Sequence, residues 1–421
     1  MCGGAPRGAI VNAAIPTSDI DLLSPAAIED PHHAYRELRG LGEVVWLPHH
    51  RAWFIGHYDA VHDAFRDTRL SSDRLSPMES RLSDDNRATL SATIELLRGW
   101  MVFHDPPDHT RLREPLRRAF TPGRLADLRP RIVAIVDDLL DELAASAAPD
   151  LIADFAFPLP AIVIAELLGV PPEDREDFKH WSDQLAALVF GSSDRGSKAA
   201  TAAAGSERFA GYFATLIERY RREPADNLVS ALIAVTEDDP DGAGLSPSEL
   251  VGACTLLLFG GHETTTNLIA NSMRTLMAHP SAMTALATES SAHPLAFEEL
   301  HRFDGSTKLM VRVVSEDHER GGCTLRTGDT VLLGVMSANR DPAVFPNPDV
   351  VDIDRVNARS HVGFGYGIHF CLGAALARLE AEIALEALVR RFPQMSHDPA
   401  AVRYSDALIG RGIAALPVTL G

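Results

Sequence analysis

Four cysteines in 421 residues, at positions 2, 254, 323 and 371, are too few and too scattered for a disulfide framework. No run of about 20 uncharged apolar residues is present, so no membrane insertion is expected. The longest candidate, 251–259, is short and leads straight into Gly260-Gly261-His262-Glu263. Residues 1–20 contain no apolar stretch flanked by basic residues, so no secretory signal is expected and the chain is placed in the cytoplasm. Basic residues are the minority: 39 Lys and Arg against 58 Asp and Glu give a formal net charge of −19. That balance disfavours nucleic acid and anionic membrane surfaces as partners. No G-x-G-x-x-G follows a strand pattern, so neither a flavin nor a nicotinamide fingerprint is found. A Pro/Gly/Ser-rich linker and an internal repeat are also missing. Residues 1–421 are therefore expected to form a single domain, with 1–20 as a loose tail, large enough to bury most of its apolar surface.

What is present is mostly helical pattern. Short helices are expected over 31–40 and 58–66, on either side of a small sheet over 44–55. Residues 71–100, rich in Ser, Asp and Arg, read as a mobile irregular segment. Helices follow over 110–119, 124–148, 151–168, 173–190, 202–222 and 225–236, then a loop over 239–244. Ser246-Pro247-Ser248-Glu249 offers an N-cap, a proline at the first helical position and a glutamate that closes a capping box. The helix it starts is apolar on all sides from Leu250 to Phe259, predicts an interior course, and extends to about residue 279. Helix 294–303, short strands over 309–335, an irregular stretch over 339–370, helix 372–391 and short strands over 400–421 complete the chain.

Cys371 stands in the run Phe364-Gly365-Tyr366-Gly367-Ile368-His369-Phe370-Cys371-Leu372-Gly373, just before a helical pattern. A helix N-terminus stabilises a thiolate, the metal-binding form of cysteine. Gly365 and Gly367 permit positive φ, so the loop can turn sharply and aim N–H groups at the sulfur. Gly373 lacks a side chain and lets a flat ligand approach. A lone thiolate without further Cys or His at zinc spacing suits a heme iron better than tetrahedral zinc. A buried free cysteine beside a glycine turn is the plain alternative.

The pattern F-G-x-G-x-H-x-C-x-G resembles the heme-ligand loop of the cytochrome P450 monooxygenases, and other segments match that family in order. The resemblance spans nearly the whole chain from about residue 104. It implies a mainly α fold with small β-sheets and a heme b between the central long helix and the Cys-loop helix. Cys371 would be the axial iron ligand, with Phe364, His369 and Gly373 around it. Gly260-Gly261-His262-Glu263-Thr264-Thr265-Thr266 is a poor helical run, since each Gly costs about 1 kcal/mol relative to Ala and Thr hydroxyls compete for backbone carbonyls. It is either a tolerated kink or, by resemblance, a groove at Gly260 that holds dioxygen, with Glu263 and Thr264 as a proton-delivery pair.

Glu299 and Arg302, three apart on one helix, resemble the family's buried E-x-x-R, with Arg355 completing the network in support of the heme loop. His109 and Arg113 are i and i+4 and would grip a heme propionate. Arg312 and His369 match the other two propionate ligands. Arg111, Arg117 and Arg118 form a basic patch for docking an acidic partner. Ala338-Asn339-Arg340-Asp341-Pro342 also matches a family segment, without assigned chemistry. By family position, residues near 75–102 and 180–200 with Leu309, Met310, Leu408 and Ile409 would line the substrate pocket. Their apolar character implies a medium-sized hydrophobic substrate. The expected activity is O2-dependent hydroxylation, with electrons from a ferredoxin and a ferredoxin reductase. A peroxide-driven peroxygenase or isomerase and a non-catalytic heme sensor or storage protein are the rival readings.

Overall fold

A computed structural model describes residues 15–189, 199–238 and 244–421. Most of the expected tail, much of the expected pocket segment 180–200 and all but the end of the loop 239–244 lie outside those residues. The longest helix runs Pro247–Ala278 and starts with the capping box anticipated from Ser246 and Glu249. Leu250, Cys254, Phe259, Leu268, Asn271 and Leu276 are buried on its successive faces, as expected for an interior helix. It packs against helices Pro158–Leu168, Ala199–Arg222 and Ala374–Arg391.

The strands are β1 (Val44–Leu47), β2 (Ala52–Ile55), β3 (Leu70–Ser71), β4 (Leu309–Val314), β5 (His318–Arg320), β6 (Cys323–Leu325), β7 (Thr330–Gly334), β8 (Arg403–Tyr404) and β9 (Ile413–Ala415). Five of them form one sheet in the order β1-β2-β7-β4-β3. Only the β2–β7 pairing in it is parallel. Successive side chains of a strand point to opposite faces. On β4, Leu309 packs in a cluster with Tyr35, Leu38 and Phe54, whereas Val314 joins a second cluster with Phe65 and Val331.

Two sequence expectations are corrected. Residues 71–100 are not irregular: they hold helices Leu75–Ser80, Asp84–Thr89 and Ser91–Arg98. Ser83 caps the second, and the buried Leu90, Ile94 and Leu97 recur at helical spacing beneath a polar exterior. The helix expected over 151–168 is interrupted. A single π turn spans Ile152–Ala156, and Pro158, which has no N–H to continue that ladder, opens Pro158–Leu168. The stretch 339–370 is irregular as expected, with isolated turns at Ala358–Ser360 and Gly367–His369.

Candidate active site

Gly365 (φ 73°) and Gly367 (φ 71°) take the left-handed conformation that the loop was expected to need. The turn closes where the Cys371 N–H donates to the Phe364 carbonyl at 2.9 Å. Cys371 then stands immediately before helix Ala374–Arg391. Protein surrounds it deeply enough for burial to push its thiol above the ordinary value, yet the residue remains exposed. The Gly373 N–H, Arg113 and Arg378 pull in the opposite direction, favouring the thiolate. Among the described residues no three His, Cys, Asp or Glu side chains converge as a metal cluster, so Cys371 stands as a lone donor. A Cβ built on Gly373 or on Gly260 would meet no atom within 4 Å. Both glycines border open space, on helices that pack against each other.

On the central helix the Thr264 hydroxyl donates to the Gly260 carbonyl at 2.8 Å, the competition anticipated for this run. The helix nonetheless continues through it. Glu263 and Thr264 are adjacent but not bonded to each other. The Glu263 carboxylate instead accepts from the Asn267 amide at 3.4 Å. Burial raises the Glu263 carboxyl above its ordinary range, and the Asn267 bond only partly opposes that.

A cluster of cationic and protonatable groups lies along the edge of the Cys loop. The His109 and His369 rings are 4.2 Å apart between centroids. Arg113 Nη2 donates to the Phe370 carbonyl at 2.6 Å, and His369 Nε2 lies 2.9 Å from Ser72 Oγ. Burial, assisted by Arg113, pulls His109 down to about 4. Burial, then the charges of Arg312, His109, Arg113 and Arg74, pulls His369 to about 3. Arg312 is pulled by burial to about 10, opposed by Asp105. His109 Nε2 is buried without a hydrogen-bond partner. This set of donors, with Asp105 as its one nearby anion, beside two glycines that border open space, fits a flat group with carboxylates at its edge and a metal near Cys371. A heme has that shape and charge.

Beneath the loop, Arg302 forks onto Glu299 through Nε and Nη2 at 2.7 and 2.8 Å. Arg355 Nε reaches the same carboxylate at 2.9 Å. Arg302 Nη1 donates to the carbonyls of Asn339 and Pro348, and Arg355 donates to those of Pro346, Asn347 and Val350. The three expected partners are thus brought together as a buried clamp. A second network, which sequence reasoning missed, starts from the preceding residue. Glu298 accepts from Arg378 Nε and meets His361 Nε2, both at 2.8 Å. Arg378 also lies 4.4 Å from the Phe364 ring centroid, and His301 packs edge-on against the same ring. The signal was present in Glu298-Glu299-Leu300-His301-Arg302, where a second acid and a second protonatable group stand directly beside the members of the recognised pair.

The remaining expected residues are placed as follows. Leu309 and Leu408 pack together in the cluster with Tyr35 and Phe54. Met310 is on the opposite face of β4, two residues from Arg312 on the same side and paired with Leu333 of β7, and the Ile409 carbonyl accepts the Lys308 N–H. Arg111 is no free docking group, since it forks onto Glu249 of the capping box. Arg117 is held by Glu114 on its own helix. Arg118 is exposed.

Comparison with known proteins gives a consistent result. The family model described as Cytochrome P450 matches residues 197–293 and 294–401. The vitamin D(3) 25-hydroxylase of Pseudonocardia autotrophica is 41% identical over 410 residues, covering 96% of this chain and 97% of that protein. The cytochrome P450 monooxygenase PikC of Streptomyces venezuelae is 38% identical, covering 96% of this chain and 95% of its own length. Among solved structures, a myxobacterial cytochrome P450 in complex with myristic acid superposes with a TM-score of 0.85. It is 40% identical, over 95% of this chain and 98% of that one.

Proposed function

We propose, since this chain belongs to the cytochrome P450 family and is one of its monooxygenases, that it hydroxylates a medium-sized hydrophobic substrate with Cys371 as the axial ligand of a heme b. The overall change is balanced as substrate C–H, O2, two electrons and two protons giving the alcohol and water. The observation that carries this reading is the placement of Cys371 as a lone exposed thiol before a helix, with protein around it and the Gly373 N–H directed at its sulfur. The heme, when bound, supplies the iron that takes up O2 and electrons. His109, Arg113, Arg312 and His369 hold its carboxylates through charge-assisted bonds.

The chain's own residues supply the protons. Burial keeps the Glu263 carboxyl protonated closer to neutral pH than an exposed glutamate, so its oxygen can release a proton on demand. Thr264 spends its hydroxyl hydrogen on Gly260, which leaves the oxygen lone pairs free to accept a bond and to fix a small oxygen species or water. Asn267 holds the Glu263 side chain within reach. Glu263 therefore delivers the proton through a water that Thr264 orients by accepting its hydrogen bond.

Electrons come from a ferredoxin and its reductase, in a chain that works as one cytoplasmic domain. The exposed Arg118 is what remains of the docking patch; Arg118→Glu should slow reduction and weaken its salt dependence, and unchanged kinetics would remove that role. The reading as a whole is tested by the reduced carbon-monoxide spectrum. The wild-type protein should show the thiolate-shifted Soret band and Cys371→His should lose it. An unshifted wild-type band would refute Cys371 as ligand. Spin-state titration with amphipathic and steroid-sized compounds then reports the substrate class.

A further inference from the structure

We infer that Arg74 is a fifth anchor for the heme carboxylates, tying the segment between β3 and Phe103 to the bound group. The inference rests on the heme reading above and extends it to a residue outside the matched motifs. Arg74 sits at the N-terminus of Leu75–Ser80 with its guanidinium carbon 4.6 Å from the Phe103 ring centroid. Its Nε is buried without a hydrogen-bond partner. Among the described residues its side chain makes no hydrogen bond or ion pair. The charges that reach it are of its own sign: Arg312 lies close enough to add to burial in pulling Arg74 to about 10. Arg74 in turn acts on His369.

The nearest acid does not resolve this. Asp105 is already bonded by the Ser71 hydroxyl and the Ser72 N–H, and its charge is felt by Arg312 and His109. That carboxylate reaches Arg312 and His109 but leaves Arg74, Arg113 and His369 without an acidic partner of their own. Buried charges left without a partner are costly, and the contact with the Phe103 ring is a weak offset. Two carboxylates arriving on one ligand edge would balance the set. A planar guanidinium with five donors suits a carboxylate better than an ammonium does.

The placement also joins two parts of the fold. Leu75 and Phe103 belong to the main core cluster, and Ser72, two residues before Arg74, meets His369 of the Cys loop. An anion gripped by Arg74 and by His369 would lock the first of the three short helices against the loop.

The test compares wild type, Arg74→Leu and Arg74→Lys as full-length holoproteins and as the same proteins stripped of heme. Three quantities are read: the reduced carbon-monoxide band, the rate of heme loss to excess apomyoglobin, and the thermal midpoint of each apoprotein. Arg74→Leu should keep the shifted band but lose heme roughly tenfold faster, the value of one charge-assisted bond. Arg74→Lys should fall between the two. Apo Arg74→Leu should melt no lower than apo wild type, because an unbalanced charge has been removed. Heme loss at the wild-type rate with the band intact would overturn the inference alone. An apoprotein destabilised as much as the holoprotein would also overturn it, since Arg74 would then only pack on Phe103. A wild-type protein without the shifted band would overturn the heme reading together with this extension of it.

Discussion

Glu263 and Thr264 divide the proton chemistry by environment, one by burial and the other by a backbone bond. Glu263→Gln keeps the shape and removes the proton, so product formation should slow about a hundredfold or more while heme spectra stay unchanged. Thr264→Ala should instead keep electron consumption and divert it to peroxide, measured as product per electron. A folded-state carboxyl raised by burial is protonated below its pKa, so wild-type turnover should fall as pH rises through that value. Glu263→Gln should lack that limb of the profile. Lys308 offers a stability test of opposite kind. It is 2% exposed and burial, with Arg411, pulls its ammonium from 10.5 to about 8. A base lowered in this way destabilises the fold most below about pH 8, and the penalty vanishes as pH rises towards 10.5. Lys308→Met should therefore gain on the order of 2–3 kcal/mol at pH 7, shrinking at high pH, as followed by thermal melts. Single residues were legible where a spacing carried their chemistry: Cys371, Glu263, His109 and Arg113 are placed by motif. Arg74 and His361 carried no such spacing, because Glu298, the partner of His361, is remote in sequence and Arg74 has no bonded partner among the described residues.

Among the elements, the contact between the helix ending at Arg98 and the central helix shows what a missing side chain does. A Cβ on Gly252 would stand 2.5 Å from the Gly99 Cα, and Trp100 Nε1 donates to Thr255 Oγ1 at 2.9 Å just beyond. Alanine in a helix gains up to about 1 kcal/mol over glycine, whereas forcing an atom into backbone costs about 1–3. Overpacking wins, so Gly252→Ala should lower the urea midpoint with little change in slope. The long helices were readable from capping and periodicity, the central one best of all. The three short helices within 71–100 were not. Their polar exteriors outnumber the few apolar residues, and tertiary partners, Ala199–Arg222 and the central helix among them, make those few decisive. Within a strand, Leu309 and Met310 are adjacent apolar residues that alternation sends to opposite faces of β4.

The whole molecule is strongly acidic, yet it gathers cations around the edge of one internal site. Removing the heme should leave those cations unbalanced and the glycine-lined space unfilled. A ligand present at a thousandfold over its dissociation constant stabilises by about 4 kcal/mol, so the apoprotein should melt several degrees lower and recover on reconstitution. The family and the mainly helical fold were legible in the order of motifs along the chain. The identity of the substrate was not, because pocket side chains follow from packing rather than from spacing.

The clamp formed by Glu299, Arg302 and Arg355 has a bearing on how this sequence can drift. Its arginines grip carbonyl oxygens at Asn339, Pro346, Asn347, Pro348 and Val350, and Glu299 takes the N–H of Asp352. Those atoms belong to every amino acid alike. The exposed side chains along that stretch, Val350 at 56% and Val356 at 92%, can then be exchanged without loosening the path of the chain, unlike the buried Phe345 and Ile353. A long connection without repetitive structure is held through its backbone by three side chains.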